Sequence, residues 1–247
     1  MYIADLPLHN SIKVGDIYLP PKNIEAFVSR SVRLLTFEVD QCVSFFGSCT
    51  LFQWKGQKFA VATRHQLEIP RGFEFSEENL KYVRIAATEN GMLANVLVDA
   101  CTFEKANPDQ EFHDLVIFHV AADNVQTTAQ PFSYFPIFEI RKYKYFFSFC
   151  VGYPTFQNSM DYDTKHLKAV CAIMNCKLDQ EYRSSADYFE RYIGNDVDFD
   201  FDGFSGGAVF SLLQNSNGYE IGLSGIIVRA GRGQVYIVSS DFLRTIC

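Results

Sequence analysis

Positive charge is scarce in this sequence relative to negative charge. The 247 residues include 22 Lys and Arg against 29 Asp and Glu, which gives a formal net charge of −7. Nucleic-acid binding needs clustered positive charge, so this balance argues against a nucleic-acid partner. One basic stretch, residues 141–145, is interpreted as a solvated strand or hairpin.

Long apolar runs and an export signal are lacking as well. Residues 1–16 contain no basic region followed by an apolar run, so no signal peptide is predicted. No apolar stretch reaches membrane-spanning length, even at residues 142–154. We therefore expect a cytoplasmic protein with no membrane partner.

The cysteines lack the spacings of a metal site or of a disulfide framework. There are seven of them, an odd number, and no Cys-x-x-Cys pair occurs. Without an export signal, this pattern predicts reduced thiols, and neither a metal nor another cofactor is expected. The cysteines are Cys42, Cys49, Cys101, Cys150, Cys171, Cys176 and Cys247.

Strand-like runs recur along the chain. Residues 32–39, 47–52 and 58–63 are rich in β-branched and aromatic side chains and are separated by turn signals. Hairpin turns are predicted at residues 54–57 and 215–218. Many short strands with little helix are typical of an all-β barrel or sandwich.

Helical periodicity is limited to two places. Residues 186–192 are the best internal candidate, and Ser240 is expected to cap a short C-terminal turn. The most polar and least patterned connection covers residues 121–131, which we interpret as a linker between two β units.

A serine lies in the glycine-rich stretch Gly203–Gly207, where it is either a nucleophile or an ordinary turn residue. The G-x-S-x-G elbow of α/β-hydrolases needs a histidine after the serine and a helix directly behind it. All five histidines precede Ser205, and residues 208–213 read as a strand, so this interpretation is excluded.

The order histidine, aspartate, serine remains. His65 closes the strand 58–63, and Asp114 opens the apolar run 115–118. Taken alone, His65 would be a surface residue and Asp114 a turn residue. Their order and their positions at strand ends make chance agreement with Ser205 a poor explanation.

On these motifs the sequence resembles the chymotrypsin-like (trypsin-fold) serine proteases, in their compact bacterial-type branch. The family's G-[DN]-S-G-G, T-A-A-H and D-[IL]-A-[LV] motifs correspond to Gly203–Gly207, Ala62–His65 and Asp114–Ile117. Residues 149–154 resemble the V-x-G-Y-P strand, and residues 225–228 resemble the strand that lines the substrate cleft.

The resemblance implies two six-stranded antiparallel β-barrels with the active site in the cleft between them. Residues 1–120 would form an N-terminal arm and the first barrel, with His65 and Asp114. Residues 132–247 would form the second barrel, with Ser205, and a short C-terminal turn, after the linker 121–131.

The resemblance also implies the roles of these residues. Ser205 would attack the peptide carbonyl, His65 would act as its base, and Asp114 would orient the imidazole. The backbone N–H groups of Gly203 and Ser205 would form the oxyanion hole.

Two departures from the family pattern bear on control. Phe204 replaces the acidic residue that pairs with a newly cut N-terminus, so activation by N-terminal trimming is not expected. Arg64 replaces a small residue beside His65. The residues before Arg30 are expected to pack against the barrels as structure, through Leu6, Leu8, Ile12, Val14, Ile17 and Leu19.

The sequence allows two interpretations of which substrate side chain the pocket would accept. Residues 196–202 alternate acidic and apolar side chains, which would give either an acidic pocket for Lys or Arg or a solvated face backed by phenylalanines. By the resemblance, the pocket floor falls on Phe199, so an apolar or small substrate side chain is at least as well supported. The expected substrate-binding residues are Phe199, Asp200, Asp202, Ile227, Val228 and Arg229.

The sequence therefore predicts an intracellular serine endopeptidase that acts on a protein or peptide substrate and forms an acyl-enzyme. A regulatory protein partner or a conformational trigger is expected to restrain it. The alternative is a trypsin-fold pseudoenzyme that binds peptides or proteins without cutting them.

Overall fold

The computed structural model describes most of the chain. No helix within the described residues is both long enough and apolar enough to cross a membrane. The described residues are 11–39, 42–67, 82–89, 92–96, 99–102, 114–120, 133–161, 163, 166–184, 186, 188–195 and 198–247.

The described residues form mainly strands, with three short α-helices. The first half contains β1 (Ile12–Val14), β2 (Ile17–Leu19), α1 (Ile24–Ser29), β3 (Val32–Val39), β4 (Cys42–Trp54), β5 (Gln57–Thr63), α2 (Arg64–Leu67), β6 (Val83–Glu89), β7 (Met92–Val96), β8 (Asp99–Thr102) and β9 (Leu115–His119). The second half contains β10 (Phe135–Pro136), β11 (Lys144–Gly152), β12 (Ser159–Asp161), β13 (His166–Lys168), β14 (Ala172–Leu178), β15 (Phe189–Gly194), β16 (Ala208–Asn215), β17 (Gly218–Gly231), β18 (Gln234–Ser239) and α3 (Ser240–Ile246).

A closed six-stranded antiparallel barrel occupies the C-terminal half, as predicted. Its strands follow one another in the order β16, β11, β14, β15, β18 and β17, and β17 pairs back onto β16. The β16–β17 hairpin closes where Asn215 pairs with Gly218, which confirms the turn predicted there. β17, which lines the cleft, pairs with β16 along one edge and with β18 along the other. These two pairings fix its position.

The second sheet contains His65 and Asp114 at the ends of neighbouring strands. Its strand order is β12, β13, β7, β6, β3, β4, β5, β9 and β8, and β10 pairs with β4. The Lys55–Gly56 turn, with φ of 48° and 81°, joins β4 to β5, as predicted. Glycine reaches such angles without steric cost, which explains Gly56 in this hairpin.

Strand pairing connects residues that the sequence assigned to two separate barrels, 1–120 and 132–247. β1, at the start of the chain, pairs in parallel with β17 of the barrel. In the other direction, β13 pairs with β7 of the N-terminal sheet. The expected linker at residues 121–131 lies outside the described residues.

The N-terminal arm contributes to the main apolar core. The side chains of Ile12, Val14, Ile24 and Val28 are at most 2% exposed and belong to the cluster that also holds core residues of both sheets. Ile17 does not pack as expected, since 45% of it is exposed on β2 at the sheet edge. Leu6 and Leu8 lie outside the described residues.

The helix predicted at residues 186–192 is wrong. Residues 189–194 form β15, which pairs with β14 on one side and β18 on the other. Backbone hydrogen bonds to two neighbouring strands override a weak local helix preference. The C-terminal helix is present as α3, but its cap is Ser239, whose hydroxyl accepts a hydrogen bond from the Asp241 N–H at 3.3 Å.

Candidate active site

His65, Asp114 and Ser205 lie in one hydrogen-bonded line. The His65 Nδ1 atom is 2.7 Å from Asp114 Oδ2, and His65 Nε2 is 3.0 Å from Ser205 Oγ. The backbone N–H of His65 also donates to Asp114 Oδ1 at 3.0 Å. The structure thus brings together the three residues expected from the sequence.

The pairing of β5 with β9 explains why the histidine meets the aspartate. Thr63 at the end of β5 lies opposite Leu115 at the start of β9. Asp114 therefore sits directly beside the first turn of α2, where His65 follows Thr63 by two residues. A one-residue change of register would direct the alternating side chains of β9 to the opposite face of the sheet.

The carboxylate of Asp114 determines which ring nitrogen carries the proton. A carboxylate accepts hydrogen bonds, so the neutral imidazole donates its Nδ1–H to Asp114 and leaves Nε2 as an acceptor. Nε2 is then the atom that can take a proton from Ser205 Oγ. The His65 side chain is 47% exposed, so it remains accessible from the cleft.

The loop around Ser205 depends on two glycines with positive φ. Gly203 has φ of 91° and Gly206 has φ of 77°, values that other residues adopt only with strain. Hydrogen bonds from Phe204 N to Phe201 O at 2.9 Å and from Gly207 N to Phe204 O at 2.8 Å tighten the turn.

The N–H groups of Gly203 and Ser205 have no acceptor among the described residues. Buried or half-buried backbone N–H groups are normally paired, so two adjacent free donors next to a serine are unusual. The pair can donate to an oxygen that becomes negatively charged beside Ser205 Oγ.

Phe204 is fully buried. Its ring packs edge-on against Phe199 and Phe201, with centroid distances of 5.5 and 5.3 Å. Gly152 makes room for the ring, because a Cβ on this glycine would lie 2.8 Å from the Phe204 ring. The glycine of the V-x-G-Y-P stretch therefore accommodates the residue that precedes the serine.

A cleft of about 740 Å³ opens beside the three residues. Of the expected substrate-binding residues, five line it and one does not. Ile227 is completely buried, and its N–H and C=O are bonded to Gly207 and Gly206 in the serine loop. The five lining residues are Phe199, Asp200, Asp202, Val228 and Arg229.

The sequence analysis missed part of the cleft wall. Phe201, Ala230, Gly231 and Arg232 also line it, the last three at the β17–β18 turn. The Gly-Arg-Gly stretch at residues 231–233 was the signal for this turn, and Arg232 adopts φ of 51° there.

The cleft carries charges of both signs. Asp200 and Asp202 are exposed on one wall, while the intervening Phe201 is 5% exposed, so the acid and apolar alternation exists in the fold. Arg229 and Arg232 also line the cleft, and the Arg229 guanidinium lies 4.7 Å from the Tyr236 ring. Asp196 lies outside the described residues.

Three polar residues of the N-terminal half, two on β4 and one on α2, also touch the serine loop and were not expected from the sequence. They are Ser48, Thr50 and Gln66. In the described parts of the chain, no group of His, Cys, Asp or Glu side chains is arranged to hold a metal ion.

Comparison of the sequence with protein-family models and with curated proteins finds no match in either set.

Proposed function

We propose that this protein is a serine endopeptidase of the chymotrypsin-like type. The observation that carries the proposal is the continuous line from Asp114 Oδ2 through the His65 ring to Ser205 Oγ, with links of 2.7 and 3.0 Å. The two free N–H groups beside Ser205 support it, because acyl transfer needs both a nucleophile and donors for the oxyanion.

The reaction begins when Ser205 Oγ forms a bond to the carbonyl carbon of the substrate. The hydroxyl proton moves to His65 Nε2, and the ionised Asp114 stabilises the imidazolium that results. Asp114 keeps its charge throughout, since its role is to orient the ring and to offset the positive charge.

The carbonyl oxygen becomes an oxyanion, which accepts hydrogen bonds from the N–H groups of Gly203 and Ser205. The carbon–nitrogen bond then breaks, and His65 Nε2–H gives its proton to the leaving amine. Water hydrolyses the acyl-enzyme by the same route, with His65 again accepting the proton.

The proposal includes a second barrel. β7 and β8 are separated by two residues, and they pair with β6 and β9 at opposite ends of the described path through β3, β4 and β5. This closeness in the chain favours closure of the part of the sheet that runs from β7 to β8, while β13 and β12 continue the sheet beyond β7. The cleft would then lie between two barrels.

Covalent labelling tests the proposal. A fluorophosphonate probe should modify Ser205 of the wild-type protein, and the labelled peptide is identified by mass spectrometry. Ser205→Ala is the matched control, because it removes one oxygen atom and leaves the loop backbone unchanged. Equal labelling of Ser205→Ala would contradict the assignment, and a folded wild-type protein that resists the probe would favour the peptide-binding pseudoenzyme.

A further inference from the structure

Three side chains of the N-terminal half donate hydrogen bonds to carbonyl groups of the serine loop. Ser48 Oγ donates to Gly203 O at 2.7 Å, and Thr50 Oγ1 donates to Gly206 O at 2.8 Å. Between them, Gln66 Nε2 donates to the carbonyl of Ser205 at 2.6 Å. The loop belongs to the C-terminal barrel, so these bonds join the two halves of the molecule at the serine.

These donors are inside the protein and belong to two elements. Ser48 and Thr50 are two residues apart on β4, which places them on one face of the strand, and both are completely buried. Gln66 is 8% exposed and follows His65 directly in α2. The packing is tight, since a Cβ on Gly206 would lie 2.8 Å from Gln66 Oε1.

The orientation of the Gln66 amide follows from its partners. Its Oε1 accepts from the Thr63 N–H at 3.0 Å and from the Thr63 hydroxyl at 2.7 Å. Its Nε2 faces two carbonyl oxygens, those of Ser205 at 2.6 Å and Ser48 at 3.4 Å. A backbone N–H can only donate and a carbonyl can only accept, so the reversed amide would lose these bonds.

The peptide groups of the loop divide into two sets. The N–H groups of Gly203 and Ser205 belong to peptides whose carbonyls accept from Thr155 N and Gly207 N, both at 2.8 Å. In a trans peptide the N–H points away from the C=O. Because these carbonyls point toward Thr155 N and Gly207 N, the N–H groups of Gly203 and Ser205 point away from those donors. The remaining peptides, with the carbonyls of residues 203, 205 and 206, are the ones that the N-terminal half holds.

We infer that Gln66 is a positioning residue for the reaction, in an inference that rests on the proposed function. One side chain connects the helix of the base to the backbone of the nucleophile, because Gln66 is bonded to Ser205 O and is the neighbour of His65. With Ser48 and Thr50, it holds the peptides whose carbonyls belong to residues 203, 205 and 206, so that Ser205 Oγ stays at His65 Nε2 and the two N–H groups stay free.

Gln66→Met tests the inference, since methionine has a similar length and no amide. Ser211→Ala is the matched control, because Ser211 is a completely buried hydroxyl that bonds Ser148 and Ser224 at 2.7 and 2.6 Å and does not line the cleft. Misplacing reacting groups by about 1 Å costs about 10²-fold in rate, so fluorophosphonate labelling of Gln66→Met should be slower by about that factor. Labelling of Ser211→Ala should stay close to the wild-type rate, although both variants lose stability.

A second readout does not require turnover. In ¹H–¹⁵N correlation spectra, the amides of Gly203 and Ser205 should shift or broaden in Gln66→Met and should be unchanged in Ser211→Ala. If the wild type is labelled, and Gln66→Met is labelled at the normal rate with unaltered amides, the inference about Gln66 is overturned while the proposed function stands. A wild-type protein that resists the probe would contradict the proposed hydrolase, and the two amides would then decide the positioning role.

Gln66→Glu covers the case in which the methionine variant does not fold. A protonated glutamic acid can still accept from Thr63 N–H and donate to Ser205 O, whereas its ionised form sets negative charge against two carbonyl oxygens. Residue 66 is 8% exposed, and this burial favours the neutral acid over the carboxylate. The charged or ionisable neighbours on α2 are Arg64 and His65, and Asp114 is bonded to His65. The ratio of the variant's labelling rate to the wild-type rate should fall as the pH rises, and a ratio that is constant with pH and close to one would overturn the inference.

Discussion

The two oxygens of the Asp114 carboxylate bond different groups of His65, one in the backbone and one in the ring. Oδ1 accepts from the backbone N–H of His65, and Oδ2 accepts from the ring Nδ1–H. The first bond positions the start of α2, and the second determines the tautomer of the imidazole. The two oxygens can therefore be separated by substitution with an amide.

Asp114→Asn is expected to keep the fold and to lose most of the activity. The amide oxygen would retain the bond to His65 N–H, which leaves the NH₂ group facing Nδ1 and forces the proton onto Nε2. A histidine in that tautomer cannot accept the Ser205 proton, and the rate should fall by about 10⁴-fold. Labelling kinetics and thermal unfolding of the variant measure the two effects, and near-normal labelling would assign the orienting role to another carboxylate.

Glu190 gives a pH dependence of stability that has a defined sign. Burial raises the pKa of its carboxyl, although Arg141 opposes part of this effect. The charged form is therefore less stable in the folded protein than in the unfolded chain. As the pH rises from the ordinary glutamate pKa of about 4.3 through the raised folded value, the wild type loses stability.

Glu190→Gln should be more stable than the wild type at neutral pH, and the difference should disappear below the ordinary glutamate pKa. The hydrogen bond from Tyr192 Oη, at 3.4 Å, can still be accepted by the amide oxygen. Unfolding midpoints measured across this pH range test the prediction. A difference of the opposite sign would show that Glu190 is stabilised as an anion, and a difference that does not depend on pH would contradict the raised pKa.

At the level of elements, the N-terminal arm is part of the core. β1 pairs with β17 where Lys13 lies opposite Glu220, and the Lys13 Nζ atom is 3.0 Å from Glu220 Oε1. The arm therefore adds β1 and β2 to the sheet of the closed six-stranded barrel. Phe204, completely buried, gives a liberated N-terminus no acid to pair with in the serine loop.

A protein that starts at Arg30 should be strongly destabilised and should not cleave faster than the full chain. Burial of an aliphatic side chain contributes about 1.5–3 kcal/mol, and the arm buries four of them, a total comparable to the about 5–15 kcal/mol of a whole domain. Within the full chain, Ile12→Ala should cost about 2–5 kcal/mol.

Tyr18→Ala is the control for the arm, since Tyr18 is 65% exposed and its loss should change stability little. Denaturant unfolding measures these differences, and a casein assay compares the activities. A truncated protein that folds and cleaves much faster than the full chain would show that the arm is an inhibitory segment.

At the scale of the whole molecule, the rate at which cysteine thiols are alkylated measures how well the folded protein protects them. Cys49, Cys150, Cys171, Cys176 and Cys247 are free thiols, and burial raises the pKa of both Cys49 and Cys171 to about 12. Because the thiolate is the reactive form, both should resist iodoacetamide in the native protein and react after unfolding. Mass spectrometry of the alkylated peptides measures this, with the denatured protein as the control. Rapid native alkylation of Cys49 would contradict its burial.

The candidate active site is also a property of the whole molecule, because its residues come from both halves of the chain. His65 and Ser205 are 140 residues apart in the chain, and Ser48 and Gly203 are 155 apart. Ser205 is placed by the barrel, whereas its base and the donors that hold its loop come from the N-terminal half. A change at the junction of the sheets is therefore expected to affect chemistry as well as stability.

The residues that could form the site, and several turns and strands, are predictable from local sequence patterns. The order of His65, Asp114 and Ser205, the glycines around the serine and the two hairpin turns are local patterns with direct steric or chemical causes. The strand Val32–Val39 was likewise predicted at its observed bounds from its side-chain pattern alone. The cleft residues Asp200 and Asp202 were predicted from the alternation of acidic and apolar residues, and both are exposed with the buried Phe201 between them.

Contacts between distant groups were not predictable from the sequence, because they depend on how whole elements pack. Residues 189–194 became a strand because two neighbouring strands supply its hydrogen bonds, and local preference could not predict that. Ile227 was expected in the cleft, but it is buried because both its backbone groups bond the serine loop. The bond from Gln66 to Ser205 O has no sequence signal, since it joins residues 139 apart and depends on how two sheets pack. Such contacts follow from the packing of whole elements, whereas turns and strand patterns follow from the steric preferences of neighbouring residues.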